Sequence, residues 1–398
     1  MINKMANAHD ANDLKQMQRL PLEAKIQMTK QRIEAWHDAW TRFDIYDEKT
    51  GKTRSVTIDT RDRFAEPPLK ESEFIVSAFD GQVYVGFSGG IDSTVLKHIV
   101  DSMYDDVPSI FVNTGLEYPE IQKFAMSQKN VITIRPQMRF DEVVKKYGYP
   151  VVSKLVSKRV KDGRNCVAKG NLDAKCLQML KGTFQTPDGN VSRYNCENWE
   201  FLLDAPFSIS HQCCDVMKKR PAHTYAKETG RKAIIGTMAN ESMTRRDQWY
   251  RFGCNAFDTK DPTSTPLSFW TKQDILEYLI KYEVSYCSVY GDIIGKHQKY
   301  GAVFSADEMR MLYDHKEERI LSNIKLETTG CERTGCIFCA FGSHCEKTPN
   351  RFQTLKETHP RQYNYCINGG EMVDGKWQPS KEGLGMGKVL DYIGVEYK

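Results

Sequence analysis

Apolar residues at helical spacing open the chain. Leu14, Met17, Leu20, Ile26, Ile33, Trp36 and Trp40 predict helix from about Asp13 to Phe43, with Pro21 marking a break or a second helix start. Asp44 to Pro68 carries a turn at Lys49-Thr50-Gly51-Lys52, a Pro67-Pro68 stop, and an alternating Ser55-Val56-Thr57-Ile58 that suggests a short strand or hairpin. From Gln82 the pattern changes: short apolar runs alternate with amphipathic ones. Gln82–Phe87, Ser109–Asn113, Val131–Ile134 and Lys232–Thr237 read as strands; Ser93–Met103, Pro119–Ser127 and Phe140–Tyr147 read as helices. Capping boxes at Thr271-Lys272-Gln273-Asp274 and Ser305-Ala306-Asp307-Glu308 open two later helices, the second expected to run to about Ile324. Arg351–Leu355 and the tail to Lys398, punctuated by Gly369-Gly370, Gly383, Gly385 and Gly387, look like a closing helical cap. The alternation predicts an α/β fold, a parallel twisted sheet with helices on both faces. The expected organisation is an N-terminal helical extension (1–75), an α/β domain (76–295) and a Cys-rich C-terminal region (296–398). Ligands of such sheets sit at the carboxyl ends of strands, where Ser88 and Thr114 both fall.

Length and charge narrow the picture. The 398 residues suffice for one large or two modest domains. A net charge of +4 is too weak to argue nucleic-acid binding by itself. No apolar run is long enough for a membrane span, and the polar N-terminus shows no secretory signal, so a cytoplasmic protein is expected. In that setting 12 cysteines suggest free thiols, metal or iron–sulfur ligation rather than disulfides. Between Ser153 and Lys181, Lys154, Lys158, Arg159, Lys161, Arg164, Lys169, Lys175 and Lys181 face only Asp162 and Asp173. The favoured reading is a solvated helical face; the sharper one is a contact surface for a phosphate-rich substrate such as nucleic acid.

The strongest chemical signal is Ser88-Gly89-Gly90-Ile91-Asp92-Ser93-Thr94, directly after a strand and opening a helix. The glycines allow a tight turn and close approach of a ligand. The helix start offers unpaired N–H groups and the positive dipole end, and Ser88, Ser93 and Thr94 add hydroxyls. This is a phosphate-holding device, or else a strand–helix turn without a ligand; it lacks the Gly-Lys-Ser/Thr of a Walker A loop. The segment resembles the PP-loop of the ATP pyrophosphatase superfamily, which implies ATP or an adenylyl-sulfate nucleotide and chemistry at the α-phosphate. Asn113-Thr114-Gly115-Leu116-Glu117-Tyr118-Pro119-Glu120 resembles the Asp-Thr-Gly-x-x-x-Pro-Glu segment of the phosphoadenosine-phosphosulfate (PAPS) reductase branch, with Asn113 replacing the acid. Ile235 to Arg246 is similar to that branch's Gly-x-Arg-x-x-x-Ser-x-x-Arg loop, with Met238 where the first arginine stands; Arg245 and Arg246 could fork onto phosphate or sulfate. Pro266-Leu267-Ser268-Phe269-Trp270-Thr271-Lys272-Gln273-Asp274-Ile275 resembles a further family helix start, so the resemblance runs from about Gln82 to Cys339.

Residue by residue, the resemblance implies nucleotide contacts from Ser88, Gly89, Gly90, Asp92, Ser93, Thr94, Thr114, Gly115 and Arg246, and catalytic duties for Asp92, Ser93, Lys218 and Arg245. Ile91 stands where some relatives carry lysine, which shifts phosphate neutralisation to Lys218, Lys219, Arg245 or Mg²⁺. Gln212-Cys213-Cys214-Asp215-Val216-Met217-Lys218-Lys219 resembles the Cys-Cys segment of iron–sulfur adenylyl-sulfate (APS) reductases. There the pair joins a later Cys-x-x-Cys, here Cys336-Ile337-Phe338-Cys339, around one 4Fe–4S cluster. The implied ligands are Cys213, Cys214, Cys336 and Cys339. The local set Cys331, Cys336, Cys339 and Cys345 is an alternative, and zinc an alternative metal. Cys166, Cys176, Cys196, Cys254, Cys287 and Cys366 read as small buried hydrophobes or incidental thiols.

Three functions remain open. One is an adenylating sulfur-transfer enzyme that uses ATP, draws on a sulfur donor and acts on a nucleic-acid or small-molecule acceptor; the DNA phosphorothioation protein that pairs a PP-loop with an iron–sulfur cluster is the analogue. The second is a PAPS or APS reductase served by a thioredoxin-like partner. That family's nucleophilic cysteine lies near the C-terminus, whereas Gly394–Lys398 has none; Cys345 is the nearest candidate and Cys366 a weaker one. The third is a non-catalytic nucleotide-binding accessory of a defence or mobile-element complex.

Overall fold

A computed structural model describes residues 9–62 and 64–398. The chain divides into two compact units. The first gathers residues up to Val112, Tyr118–Ile134 and Ala222–Thr334; the second takes Asn113–Glu117, Arg135–Pro221 and Gly335–Lys398.

In the first unit, Asp10 caps α1 (Ala11–Gln18) by accepting the amides of Asn12 and Asp13, and Pro21 precedes α2 (Leu22–His37). Helix was expected as far as Phe43, but the chain turns to strand at Trp40. β1 (Trp40–Asp47) lies between β2 (Lys52–Asp59) and β3 (Glu73–Phe79), antiparallel to both. Trp40 keeps helical spacing from Trp36 in the sequence, and its ring meets Trp36 edge-on, 5.3 Å between centroids, but its backbone is strand. From Thr41 onward, hydrogen bonding on both sides of β1 decides the backbone.

The central layer begins with β4 (Val83–Phe87), α3 (Ile91–Asp101), β5 (Ser109–Val112), α4 (Pro119–Ser127) and β6 (Val131–Ile134). The second unit then supplies α5 (Phe140–Tyr147), β7 (Val151–Val152), α6 (Lys154–Ala168) and α7 (Lys175–Leu180). After α8 (Arg220–Thr229), the sheet resumes with β8 (Lys232–Ile235), α9 (Met243–Phe252), β9 (Asn255–Ala256), β10 (Thr263–Ser264) and α10 (Lys272–Lys281). The six strands run β6-β5-β4-β8-β10-β9, all parallel except β9. Phe87, Phe111 and Ala125 form a core there with Phe124 and Val131. α10 starts on the predicted capping box, and Asp274 also receives the buried Lys25 ammonium at 2.7 Å. A lone buried charge would be costly, so this pair ties α2 to α10.

A smaller antiparallel sheet follows in the same unit: β11 (Ile293–His297) between β12 (Val303–Phe304) and β13 (Ile324–Thr328). The helix opened by Ser305, α11 (Ala306–Asp314), stops well short of Ile324. Lys316 adopts a positive φ of 52°, the chain makes only the short α12 (Glu318–Leu321), and Ile324 begins β13.

In the second unit β7 pairs in parallel with β14 (Ala340–Phe341). The tail adds α13 (Arg351–Thr358), α14 (Pro360–Ile367), the hairpin β15 (Glu371–Val373) and β16 (Lys376–Gln378), and α15 (Met386–Tyr392). α6 is only partly the solvated basic face expected. Arg159 is buried, and the Arg164 guanidinium donates to the carbonyls of Leu202, Leu203, Ala205 and Phe207 at 2.7–2.9 Å. Lys154, Lys158, Lys169, Lys175 and Lys181 remain exposed. Among the described residues no helix is long and apolar enough to cross a membrane.

Candidate functional site

The Ser88–Thr94 segment turns from β4 into the first residues of α3, at the carboxyl edge of the sheet. Gly89 has φ +73°, and a Cβ there would stand 2.9 Å from the Ile121 side chain, so only glycine fits. Gly236, after β8, is also tightly placed: a Cβ would lie 3.0 Å from the Asp92 carbonyl oxygen. The hydroxyls hold the turn together. Ser93 Oγ donates to the Gly90 carbonyl at 2.9 Å and accepts the Ser88 amide at 3.1 Å; Thr94 Oγ1 donates to the same carbonyl at 3.0 Å. The Tyr290 hydroxyl accepts the Ile91 amide at 3.3 Å and shares a 2.7 Å hydrogen bond with Thr334 Oγ1.

Asp92 is the unusual member. Its Oδ1 is buried without a hydrogen-bond partner among the described residues. Burial pushes its carboxyl above the usual range, against the pull of Lys272, Arg333 and Arg245. Lys272 and Arg245 are shifted down by burial, and their mutual surroundings are cationic: Arg333 lowers both further. Glu241 partly neutralises the group by pairing with Arg245 and standing 3.6 Å from Arg333. Lys272 donates to the Glu332 carbonyl at 3.1 Å. Arg246 has a buried Nε without a partner among the described residues. The result is an anion-ready cluster around one carboxylate able to take a hard cation.

In the second unit, Cys213, Cys214, Cys336 and Cys339 line one small cavity, walled by Leu116, Phe140 and Met217, with Lys218 at its side. Cys213 and Cys214 precede a π-helical turn, Asp215–Lys219, a local widening frequent at functional sites. The Cys213 hydrogen bond, aided by Lys154 and Lys218, lowers the Cys214 thiol to about 6, whereas that hydrogen bond and burial push Cys213 up. Burial pushes Cys339 up to about 12 and raises Cys336 as well. Burial opposes the Lys218 charge, but Cys336 and Glu117 outweigh it and raise its pKa. Lys218 Nζ stands 3.5 Å from Glu117, whose carboxylate accepts the Thr114 hydroxyl at 2.7 Å and amide at 3.1 Å. Among the described residues no three His, Cys, Asp or Glu groups already stand as a metal-binding set. The donor chemistry nonetheless fits a soft centre: four thiols in an apolar cavity, with two lysines to offset thiolate charge.

The predicted residues therefore fall into two groups. Ser88, Gly89, Gly90, Asp92, Ser93, Thr94, Arg245 and Arg246 belong to the first unit; Thr114, Gly115, Lys218 and the four cavity cysteines belong to the second. Lys218 is held by Glu117 and Cys336, and the cations around Asp92 are Lys272, Arg333 and Arg245. Cys331 lies in the first unit, beside Tyr118; Cys345 is exposed on the turn Ser343–Cys345 and does not line the cavity. Sequence reasoning gave no site role to Lys272, Arg333, Tyr290, Thr334 or Glu117, and read Lys154 only as part of the basic run. Lys272 and Glu117 sit inside segments already singled out for other residues, and Arg333-Thr334 directly precedes Gly335-Cys336.

A glycine-built loop at the carboxyl edge of a largely parallel sheet, with a buried carboxylate among cations, defines the class of PP-loop nucleotide-binding α/β proteins. Residues 82–168 and 185–340 match the phosphoadenosine phosphosulfate reductase domain, more than half of the chain, and the protein belongs to that family. No curated protein matches it.

Proposed function

We propose that this protein is a nucleotide-dependent sulfur-transfer enzyme that binds ATP at Ser88–Thr94 and activates an acceptor by adenylation. The observation that carries this reading is Asp92, a buried carboxylate with an unpartnered oxygen, set among Lys272, Arg333 and Arg245 in a phosphate-shaped turn. An acceptor oxygen would attack the α-phosphorus and pyrophosphate would leave with the electron pair of the broken P–O bond. The backbone amides at the start of α3 and the three cations would stabilise the charge that develops. Asp92 suits Mg²⁺, which binds through one or two carboxylates plus substrate phosphates. Arg246 would add a phosphate contact, and Thr114 and Gly115 are assigned to the nucleotide by family resemblance.

Cys213, Cys214, Cys336 and Cys339 would hold a 4Fe–4S cluster, or zinc in its place; an iron–sulfur centre would supply redox or sulfur chemistry. Lys154 and Lys218 would keep the thiolates charged. The acceptor is a small molecule or a nucleic acid, the latter through the exposed lysines of α6 and α7. The test is release of pyrophosphate and AMP from ATP with candidate acceptors. Absence of both, with tight nucleotide binding retained, would leave the accessory reading.

A second reading is favoured by Cys345, the one exposed cysteine among the described residues. In a sulfonucleotide reductase its thiolate would attack the sulfur of PAPS or APS, displace the nucleotide phosphate and leave an S-sulfonate, which an external thiol would reduce to sulfite. Thioredoxin-dependent sulfite release, lost in Cys345→Ser, would establish that reading instead.

A further inference from the structure

Two cysteines without a role in the cavity face each other across the α6–α7 corner. Cys176 Sγ, near the start of α7, donates to Cys166 Sγ, near the end of α6, at 3.8 Å. Both side chains are half-buried, so neither is sealed from a small oxidant. The corner between them, Lys169 to Ala174, is short and includes Gly170 at φ +72° and an exposed Leu172. Residues 169–184, which include α7, lie outside the stretches that match the family. α6 is firmly anchored by the four carbonyl contacts of Arg164, whereas α7 is a short helix.

We propose that Cys166 and Cys176 are a redox-active dithiol whose reversible disulfide staples segment 169–184 to α6. A peroxide is the oxidant. The Cys166 thiolate attacks the peroxide oxygen and becomes a sulfenic acid, releasing hydroxide. The Cys176 thiolate then attacks the Cys166 sulfur; the S–O bond breaks, water leaves after protonation, and the S–S bond forms. An external dithiol returns both cysteines to thiols by two successive exchanges and is itself oxidised to a disulfide. The sulfurs, 3.8 Å apart, are already in contact and would close to about 2 Å. A third thiol, Cys196, is held elsewhere, accepting from Arg159 at 3.5 Å, and is the natural competitor.

The test treats the reduced full-length protein with hydrogen peroxide, blocks remaining thiols by alkylation and maps tryptic peptides. Cleavage after Arg164, Lys169, Lys175 and Lys181 places the two cysteines on separate peptides. The expected product is Asn165–Lys169 joined to Cys176–Lys181, about 2 Da lighter than the two thiol peptides together and separated again by a dithiol. In Cys176→Ser, dimedone should label Cys166 after peroxide; in Cys166→Ser, Cys176 should stay unlabelled. Recovery of both cysteines alkylated, or a link from Cys176 to Cys196, would overturn the proposal. Neither result bears on nucleotide or cluster binding.

Discussion

Ser88–Thr94 and the Cys213–Cys214 cavity offer their ligands different materials. The loop offers backbone amides, hydroxyls and fixed cations, and its turn is set by Gly89, which no larger residue can replace. It is preorganised for a hard, oxygen-rich anion. The cavity offers four thiols in an apolar wall, three of them held toward the neutral form by burial or by their neighbours. Only a soft cation would make all four ionise together. One region's shape is fixed by its own backbone, whereas the other's charge state would depend on a bound cation.

The comparison can be broken most sharply at the cavity. Protein purified without oxygen should carry about four iron atoms and matching sulfide, with a visible chromophore. Cys214→Ala should lose both, and Cys345→Ala should keep both. Retention in Cys214→Ala with loss in Cys345→Ala would move the centre to the C-terminal run. At the loop the effects should be graded. Lys272→Ala and Arg333→Ala should each weaken ATP binding roughly 10- to 100-fold, the scale of a lost charge-assisted hydrogen bond; unchanged affinity would remove the cationic ring from the account. Asp92→Asn should separate function from stability. It should abolish pyrophosphate release, yet raise the Tm of the ligand-free protein by a few degrees, the size that about 1 kcal/mol produces, because a buried unpaired carboxylate is gone.

The smallest effect lies outside both regions and serves as a control. Arg54 and the Lys70 amide hold Glu73 at about 2, below the ordinary 4.5. Its contribution is present above the unfolded value and lost as pH falls from about 4.5 to about 2. Urea midpoints should therefore fall less steeply with acid in Glu73→Gln than in the parent, with nucleotide binding intact.

The elements most legible in the sequence were those with a local physical cause. Gly89 and Gly90 after an apolar run announced the loop. Thr271–Asp274 and Ser305–Glu308 announced helix starts because a capping box is complete within four residues. Trp40 misled because it stands four positions after Trp36, a helical interval, while the pairing that makes it a strand comes from distant residues. Arg164 read as surface charge because its carbonyl partners lie some forty positions away. Lys272 and Arg333 were passed over for the same reason: sixty-one residues apart, they matter only where the fold sets both beside Asp92. Cys166 and Cys176 looked incidental until the α6–α7 corner set their sulfurs together.

The most direct test of the central claim is a calorimetric titration of the full-length protein with ATP and Mg²⁺, repeated with PAPS as competitor. The account predicts saturable one-to-one binding at micromolar concentration, abolished when Gly89→Val fills the turn in a protein whose circular dichroism is unchanged. A folded parent protein that takes up neither nucleotide at millimolar concentration would contradict it.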